Sequence, residues 1–284
     1  METALFQEGF ERYDLARHFG GLPAVGGDYE ALVRECAGLP ADPYAPDSGR
    51  YRRYARGILF PWSGQLTWVP PATDEDGRPV HHFTQGDNNP EFADLRAFPA
   101  VAADVLDLGL LRRIVDFDFR RTRWDARDSA WPLHVGLHLI KQSVDHPGDE
   151  AVSSPNALHQ DGNAFVFCHL VYRENAEGGN NVISEPQLRG RRPEALPEGS
   201  RLGDFTLTRP LEAYGIVDSM VTHYVAPLRK GAGEAAGERA VLIVGFTPMG
   251  RRLRPPDGGT GGAHGGRGAK GGPGSPRLTG SRPS

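Results

Sequence analysis

His159-Gln160-Asp161-Gly162 leads through Asn163 and Ala164 into Phe165-Val166-Phe167-Cys168-His169-Leu170-Val171-Tyr172, and this junction decides the fold. The apolar run is rich in aromatic and β-branched residues and is followed by Gly178-Gly179, so it reads as a buried strand. Ahead of it, Ser153-Ser154-Pro155-Asn156 is turn chemistry, which puts the His-x-Asp pair at the mouth of that strand. Residues two apart share a face in extended backbone, so His159 and Asp161 point the same way. Gly162 lets the chain turn closely behind them.

Similar runs surround the junction. Residues 133–144, 164–173, 181–184, 204–208, 215–218, 222–228 and 239–247 are short and rich in Val, Ile, Phe and Tyr, with breaks at Pro147-Gly148, Gly178-Gly179, Pro197 and 231–237. Many short strands with such punctuation imply an antiparallel sandwich or jelly roll. The segment 231–237 reads as a flexible loop between the last two strands. Upstream, 65–69 and 80–84 flank the turn Asp74-Glu75-Asp76-Gly77 and read as a hairpin. Residues 91–117 carry Val101, Val105, Leu108, Leu111 and Ile114 at helical spacing. Residues 1–40 read as a helical cover, with Phe6, Phe10, Tyr13, Leu15 and Phe19 on one face and Asp28 placed to cap a second helix through Ala37. The proline-rich residues 41–49 are a connector.

The 284 residues include 38% hydrophobic and 24% charged side chains, a balance that suits a soluble globular core. No apolar run approaches the roughly 18 residues of a membrane span, and the acidic N-terminus is no signal peptide, so the expected location is cytoplasmic. Cys36 and Cys168 are the only cysteines, and Cys168 reads as a buried small hydrophobe, not a thiolate ligand. Residues 251–284 hold seven Lys/Arg against Asp257, a charge of +6 that leaves −10 on the rest. The positive charges are sparse and no aromatic lies among them, so no nucleic-acid partner is expected. Residues 255–284, rich in Gly, Pro, Ser and Arg, lack the apolar surface to offset ordering and are expected to be disordered. Residues 1–254 then form a single domain.

His223 lies sixty-four residues beyond His159 in the alternating stretch Met220-Val221-Thr222-His223-Tyr224-Val225. Either histidine alone also fits a hydrogen-bonded core role. With Asp161, however, the pair composes a two-histidine, one-carboxylate set, which holds Fe(II) on one face and leaves positions open. Farther on, Arg239 offers a planar fork for a dicarboxylate such as 2-oxoglutarate. The combination points to an oxygenase.

Together with the His-x-Asp-Gly motif and the strand through Phe167 to Tyr172, the motifs Arg173-Glu174-Asn175, Asp218 before His223, and Arg239 opening Val241-Leu242-Ile243-Val244 resemble a known family. They look like the Fe(II)/2-oxoglutarate-dependent dioxygenases that hydroxylate free amino acids, the group with isoleucine and pipecolate hydroxylases. Arg52-Arg53-Tyr54, Phe83-Thr84-Gln85-Gly86-Asp87-Asn88-Asn89 and Arg96-Ala97-Phe98 resemble its N-terminal half. The resemblance implies a mainly β double-stranded β-helix (a cupin-like jelly roll) with flanking helices. It makes His159, Asp161 and His223 the iron ligands and Arg239 the partner of 2-oxoglutarate. The implied reaction uses O₂ to hydroxylate an unactivated C–H of a small free amino or imino acid, with release of succinate and CO₂. A pipecolate- or proline-like substrate is mildly preferred over an aliphatic one. Asp161 argues against a halogenase, which would need that place for chloride.

Many such sites carry Ser or Thr two residues after the arginine, where this chain has Val241, so Thr222, Tyr224 or a water is expected to complete the co-substrate's contacts. Asp218 is a candidate to orient a ligand histidine or hold a substrate ammonium. Arg173 and Arg121 are candidates for the substrate carboxylate, and Gln85 and Asn88 for a loop over the pocket. His81, His82, His134, His138 and His169 read as structural or exposed. Two rival readings stay open: an oxygenase acting on a peptide or carrier-bound amino acid, and a non-catalytic jelly-roll binding module.

Overall fold

The computed structural model describes residues 3–85, 88, 94–153 and 155–250. The chain opens with helix α1 (Ala4–Gln7), strand β1 (Phe10–Asp14), α2 (Leu15–His18) and α3 (Gly26–Ala37). Next come β2 (Arg50–Phe60), β3 (Gln65–Trp68), β4 (Ala72–Thr73), β5 (Pro79–Phe83) and β6 (Arg96–Pro99), then α4 (Ala103–Leu106) and α5 (Gly109–Phe119). The remainder is β7 (Leu133–Val144), β8 (Phe165–Glu174), β9 (Ala176–Gly178), β10 (Asn181–Ser184), β11 (Arg201–Phe205), β12 (Glu212–Val217), β13 (Thr222–Val225), β14 (Leu228–Lys230) and β15 (Gly237–Pro248).

Seven strands form the major sheet in the order β1-β12-β8-β15-β7-β2-β3, and β11-β10-β13 form a minor sheet. All the pairings of these two sheets are antiparallel. The protein is thus mainly β with flanking helices, a jelly roll. One face of the major sheet packs on α3, α4 and α5 through Leu32, Val105, Leu111, Ile114 and Phe117. Burying each such side chain stabilises the fold by about 1.5–3 kcal/mol. The opposite face shares Val166, Leu170, Ile183 and Val241 with the minor sheet. Strand alternation therefore gives every long strand one helix-covered face and one inner face.

Several expectations are corrected. Phe10–Asp14 is a strand, not part of a helical cover, because Gly9 takes φ +81 and its missing Cβ makes room for Val221 and Met220, which lets the chain swing onto β12. Asp28 caps a different helix: its Oδ2 accepts from Leu110 N (2.8 Å) at the start of α5. The expected hairpin does not form, since β3 pairs with β2, and β5 pairs with β4 and β6. Within 91–117, Arg96–Pro99 is a strand and the helices begin only at Ala103; residues 91–93 lie outside the described residues, as does the expected tail at 255–284. The eleven-residue β2, which the sequence reading did not place as a strand, sits inside the major sheet between β7 and β3.

Candidate metal centre and its cavity

His159 and His223 are brought together by the backbone. Each donates its N–H to the other's carbonyl at 2.9 Å, an isolated antiparallel bridge at the end of the minor sheet. Their Nε2 atoms lie 2.9 Å apart, and Asp161 places Oδ1 3.5 Å from His159 Nε2 and Oδ2 3.6 Å from His223 Nε2. Among the described residues these three form a ligand cluster whose atoms all lie within 4.8 Å of one another. Donors at right angles around an ion with bonds of about 2.1 Å sit about 3 Å apart, so the spacing suits a first-row metal. The donor set, two imidazoles and one carboxylate, suits Fe(II).

Neighbouring contacts aim these donors. His159 Nδ1 donates to the Ala157 carbonyl (2.9 Å), which leaves Nε2 as the lone-pair atom. Asp218 accepts the backbone N–H of Asp161 on Oδ1 (2.9 Å) and that of Gly162 on Oδ2 (2.8 Å). It therefore fixes the loop carrying the ligand pair, and its carboxylate contacts neither histidine. Gly162, at φ +78, packs against the Asn88 amide where a Cβ would collide. Gln85 Nε2 donates to Asp161 Oδ1 (3.0 Å), while its Oε1 accepts from Arg96 (3.0 Å).

Protonation follows from burial and proximity. Burial would raise the Asp161 carboxyl, yet the charge of His223 and the contact with His159 hold it below the usual range. Burial and the His159 charge lower His223 to about 4. Asp218 is raised to about 7, first by burial and then by Asp161, against its two backbone donors. His159 is raised: burial lowers it, but the Asp161 contact outweighs that.

The triad opens onto a cavity of about 460 Å³ between the sheets. Arg239 lines it and is 4% exposed; Nη1 donates to Gln142 Oε1 (3.3 Å), while Nε and Nη2 have no hydrogen-bond partner. Gln142 is itself oriented, because its Nε2 donates to the Ala151 carbonyl (3.0 Å). A buried guanidinium with two unsatisfied donors fits a dicarboxylate. Val166, Val225, Ile140, Val241 and Ile243 supply apolar wall.

Thr222 is not where the sequence reading put it. It is fully buried with Oγ1 donating to the Ser184 and Glu185 carbonyls (3.3 and 3.1 Å), outside the cavity lining. Strand alternation explains this, because His223 faces inward and its neighbours Thr222 and Tyr224 face away. Arg173 is corrected too: Nη2 clamps the Ala176 and Gly178 carbonyls (2.8 and 2.9 Å), and the residue does not line the cavity. Arg121 stacks on Phe117, 3.2 Å from the ring centre, behind the sheet. His134 and His138, read as structural or exposed, line the cavity, as do Gln142, Tyr214, Arg50 and Arg52. A period-two reading of β7 would have found three of them, since His134, Gly136, His138, Ile140 and Gln142 alternate with Leu133, Val135, Leu137 and Leu139.

A family model described as 2OG-Fe dioxygenase matches residues 34–245. Over 224 residues, 77% of this chain and 81% of the relative, the sequence is 24% identical to the 3(1)-hydroxy-L-isoleucine 4-dioxygenase of Pantoea ananatis. Against the L-isoleucine-4-hydroxylase of Bacillus thuringiensis it is 29% identical over 157 residues, 54% of this chain and 59% of the relative. The solved structure of IDO from Bacillus thuringiensis superposes with a TM-score of 0.62 at 21% identity, covering 86% of this chain and 95% of that one. A bsmA homolog from Methylobium petroleophilum gives 0.64 at 20% identity, covering 86% and 90%. At such identities the two structures show a shared fold.

Proposed function

We propose, on the premise that this chain belongs to the 2OG-Fe dioxygenase family, that it hydroxylates an unactivated C–H of a small free amino or imino acid. The family's requirements, Fe(II), 2-oxoglutarate and O₂, are the enzyme's own. His159, Asp161 and His223 would hold the metal, and Arg239 the far carboxylate of 2-oxoglutarate. Residues 1–254 would be the catalytic domain. One observation carries the reading: two imidazole nitrogens and a carboxylate converge on the wall of a cavity that also exposes an under-bonded arginine.

The bound iron, with 2-oxoglutarate and O₂, supplies the oxidising power for oxygen insertion, and 2-oxoglutarate leaves as succinate and CO₂. The chain's own residues do the rest. The Ala157 carbonyl holds the His159 Nδ1–H, so Nε2 is the nitrogen that would bind the metal. Asp218 holds the loop and Gln85 steadies one oxygen of Asp161, so this carboxylate is positioned toward the two imidazoles. Arg239, braced by Gln142, orients the co-substrate. The valine and isoleucine wall excludes water and favours an apolar side chain. A cavity of about 460 Å³ that must seat both organic molecules favours a small substrate over a peptide. Relatives named for isoleucine shift the preference toward a branched aliphatic substrate, with pipecolate- and proline-like acids next.

The test is mass spectrometry of an amino- and imino-acid panel incubated with enzyme, Fe(II), 2-oxoglutarate and ¹⁸O₂. One compound should gain a single labelled oxygen with stoichiometric succinate. Neither product nor succinate from iron-loaded enzyme would return the chain to the binding-module reading.

A further inference from the structure

The cavity holds a second cationic pole that the reading above leaves without an occupant. Arg50 and Arg52 enter it from alternate positions of β2, and each is 5% exposed. Both lean on Asp42, but unequally: Arg50 Nε lies 2.8 Å from Oδ2, whereas Arg52 Nη1 lies 3.8 Å from the same atom. The other contacts of Arg52 bring no negative charge. Nη2 donates to His138 Nδ1 (2.7 Å), the guanidinium lies 3.8 Å over the Phe98 ring, and Nε has no hydrogen-bond partner. Burial, and then the charge of Arg50, pull Arg52 down to about 9. Arg96 adds a third cation nearby. A buried cation without a close counter-ion destabilises the fold unless a ligand supplies one.

The pole is separate from Arg239 and flanks the triad. In the major sheet Arg239, Gln142 and Arg50 stand in one cross-strand row. Neighbouring strands are about 4.8 Å apart, so the Arg239 and Arg50 backbones lie roughly 10 Å apart, room for two carboxylates. Arg52 occupies the next inward-facing position, beside Ile140 and Val241. Its partner His138 is within electrostatic reach of Asp161, and Arg96 connects to Asp161 through Gln85.

We propose that Arg52, backed by Arg50, seats a free carboxylate of the organic substrate. This rests on the hydroxylase reading and adds to it the residue that reads the acid: Arg52 would discriminate the free carboxylate from a carboxamide, an ester or a carrier thioester. The Arg52 fork takes the carboxylate while the apolar wall takes the side chain, and the carboxylate supplies the close counter-ion that Asp42, at 3.8 Å, does not.

The experiment is anaerobic calorimetry on the Fe(II)- and 2-oxoglutarate-loaded protein. L-isoleucine, L-leucine, L-valine, L-proline and L-pipecolate are each compared with their own carboxamide. At least one acid should bind, with its carboxamide at least twentyfold weaker. In Arg52→Met that ratio should fall to within threefold, and Arg52→Lys should restore part of it, with 2-oxoglutarate affinity unchanged within threefold. Acid and carboxamide binding alike, a ratio that survives Arg52→Met, or no binding by any acid would each overturn the assignment. A variant whose main loss is 2-oxoglutarate affinity would do the same. The wild-type comparison needs no variant to fold. Labelled-oxygen insertion into a compound whose carboxamide reacts equally would sink the Arg52 seat and keep the hydroxylase. Acid-selective binding without oxygen insertion would do the opposite.

Discussion

The two faces of the major sheet are made from the same strands and treat polar groups in opposite ways. Along β15, Ala240, Leu242, Val244 and Phe246 face the helices, whereas Arg239, Val241, Ile243 and Gly245 face the cavity. On the covered face the buried charges meet each other. His169 Nε2 and Asp118 Oδ2 lie 2.9 Å apart with both side chains fully enclosed, and Lys141 reaches Glu238 at 3.3 Å. On the cavity face Arg239 Nε and Nη2, Arg52 Nε and His223 Nδ1 have no partner. Unpartnered atoms occur on the covered face as well, at Asp118 Oδ1 and His169 Nδ1, but there each charge has an opposite charge beside it. Arg239, by contrast, has no ion pair among the described residues and Arg52 meets Asp42 only at 3.8 Å, which marks where anionic ligands belong. Stability is thus predicted to depend on the covered face and chemistry on the other.

The largest test of that division is Asp161→Ala. Hydroxylated product should fall below detection and bound iron should drop, while circular dichroism stays that of the wild type. Wild-type turnover in this variant would remove the metal assignment. His169→Leu should do the reverse. It strands Asp118 in a dry interior, a loss of about 3–5 kcal/mol, or roughly 6–20 °C in melting temperature, with turnover per folded molecule unchanged. Should turnover collapse at full stability, the two faces would not be separable. Arg239→Met comes third, raising the 2-oxoglutarate requirement about 10- to 100-fold by deleting a charge-assisted fork. Steady-state kinetics at varied co-substrate would show it, and an unchanged requirement would leave the second pole as that molecule's seat.

How much of this could be read from the chain depended on sequence distance. The ligand pair was legible because His159 and Asp161 are two residues apart, and the jelly roll because its later strands carry ordinary β-branched and aromatic patterning. Strand β2 was not legible. Arg50, Arg52, Arg53 and Arg56 make it look like surface, yet Arg50 and Arg52 face a cavity and Arg53 turns to Glu35 of α3 at 3.2 Å. Hydrophobic patterning has no term for a polar interior. The row Arg239, Gln142 and Arg50 was hidden for another reason: it exists only once the strand register is known. Thr222 was a different matter. Alternation with His223 already forbade it a place in the same cavity.

Glu212 sharpens the comparison from inside the cavity-facing set, since it sits two residues before Tyr214 on β12. Unlike Arg239 and Arg52 it is engaged by close donors. Oε2 accepts from Thr208 N (2.7 Å) and Arg209 N (3.0 Å), and Oε1 accepts from Arg209 Nε (2.8 Å). Burial works to raise its pKa, but the Thr208 and Arg209 donors bring it down from 4.5 to about 2. A carboxyl depressed in the folded state adds stability that is fully present above its unfolded value and is lost as pH falls through the folded one. Glu212→Gln should therefore cost about 1 kcal/mol at pH 7, a fall of about 2–4 °C. The gap to wild type should narrow below pH 4.5 and close near pH 2, with turnover unaffected. If a close opposite charge, and not the face itself, separates structural from ligand-binding polar groups, Glu212 must behave like His169. A Glu212→Gln variant with normal melting and impaired turnover would show that the face alone decides.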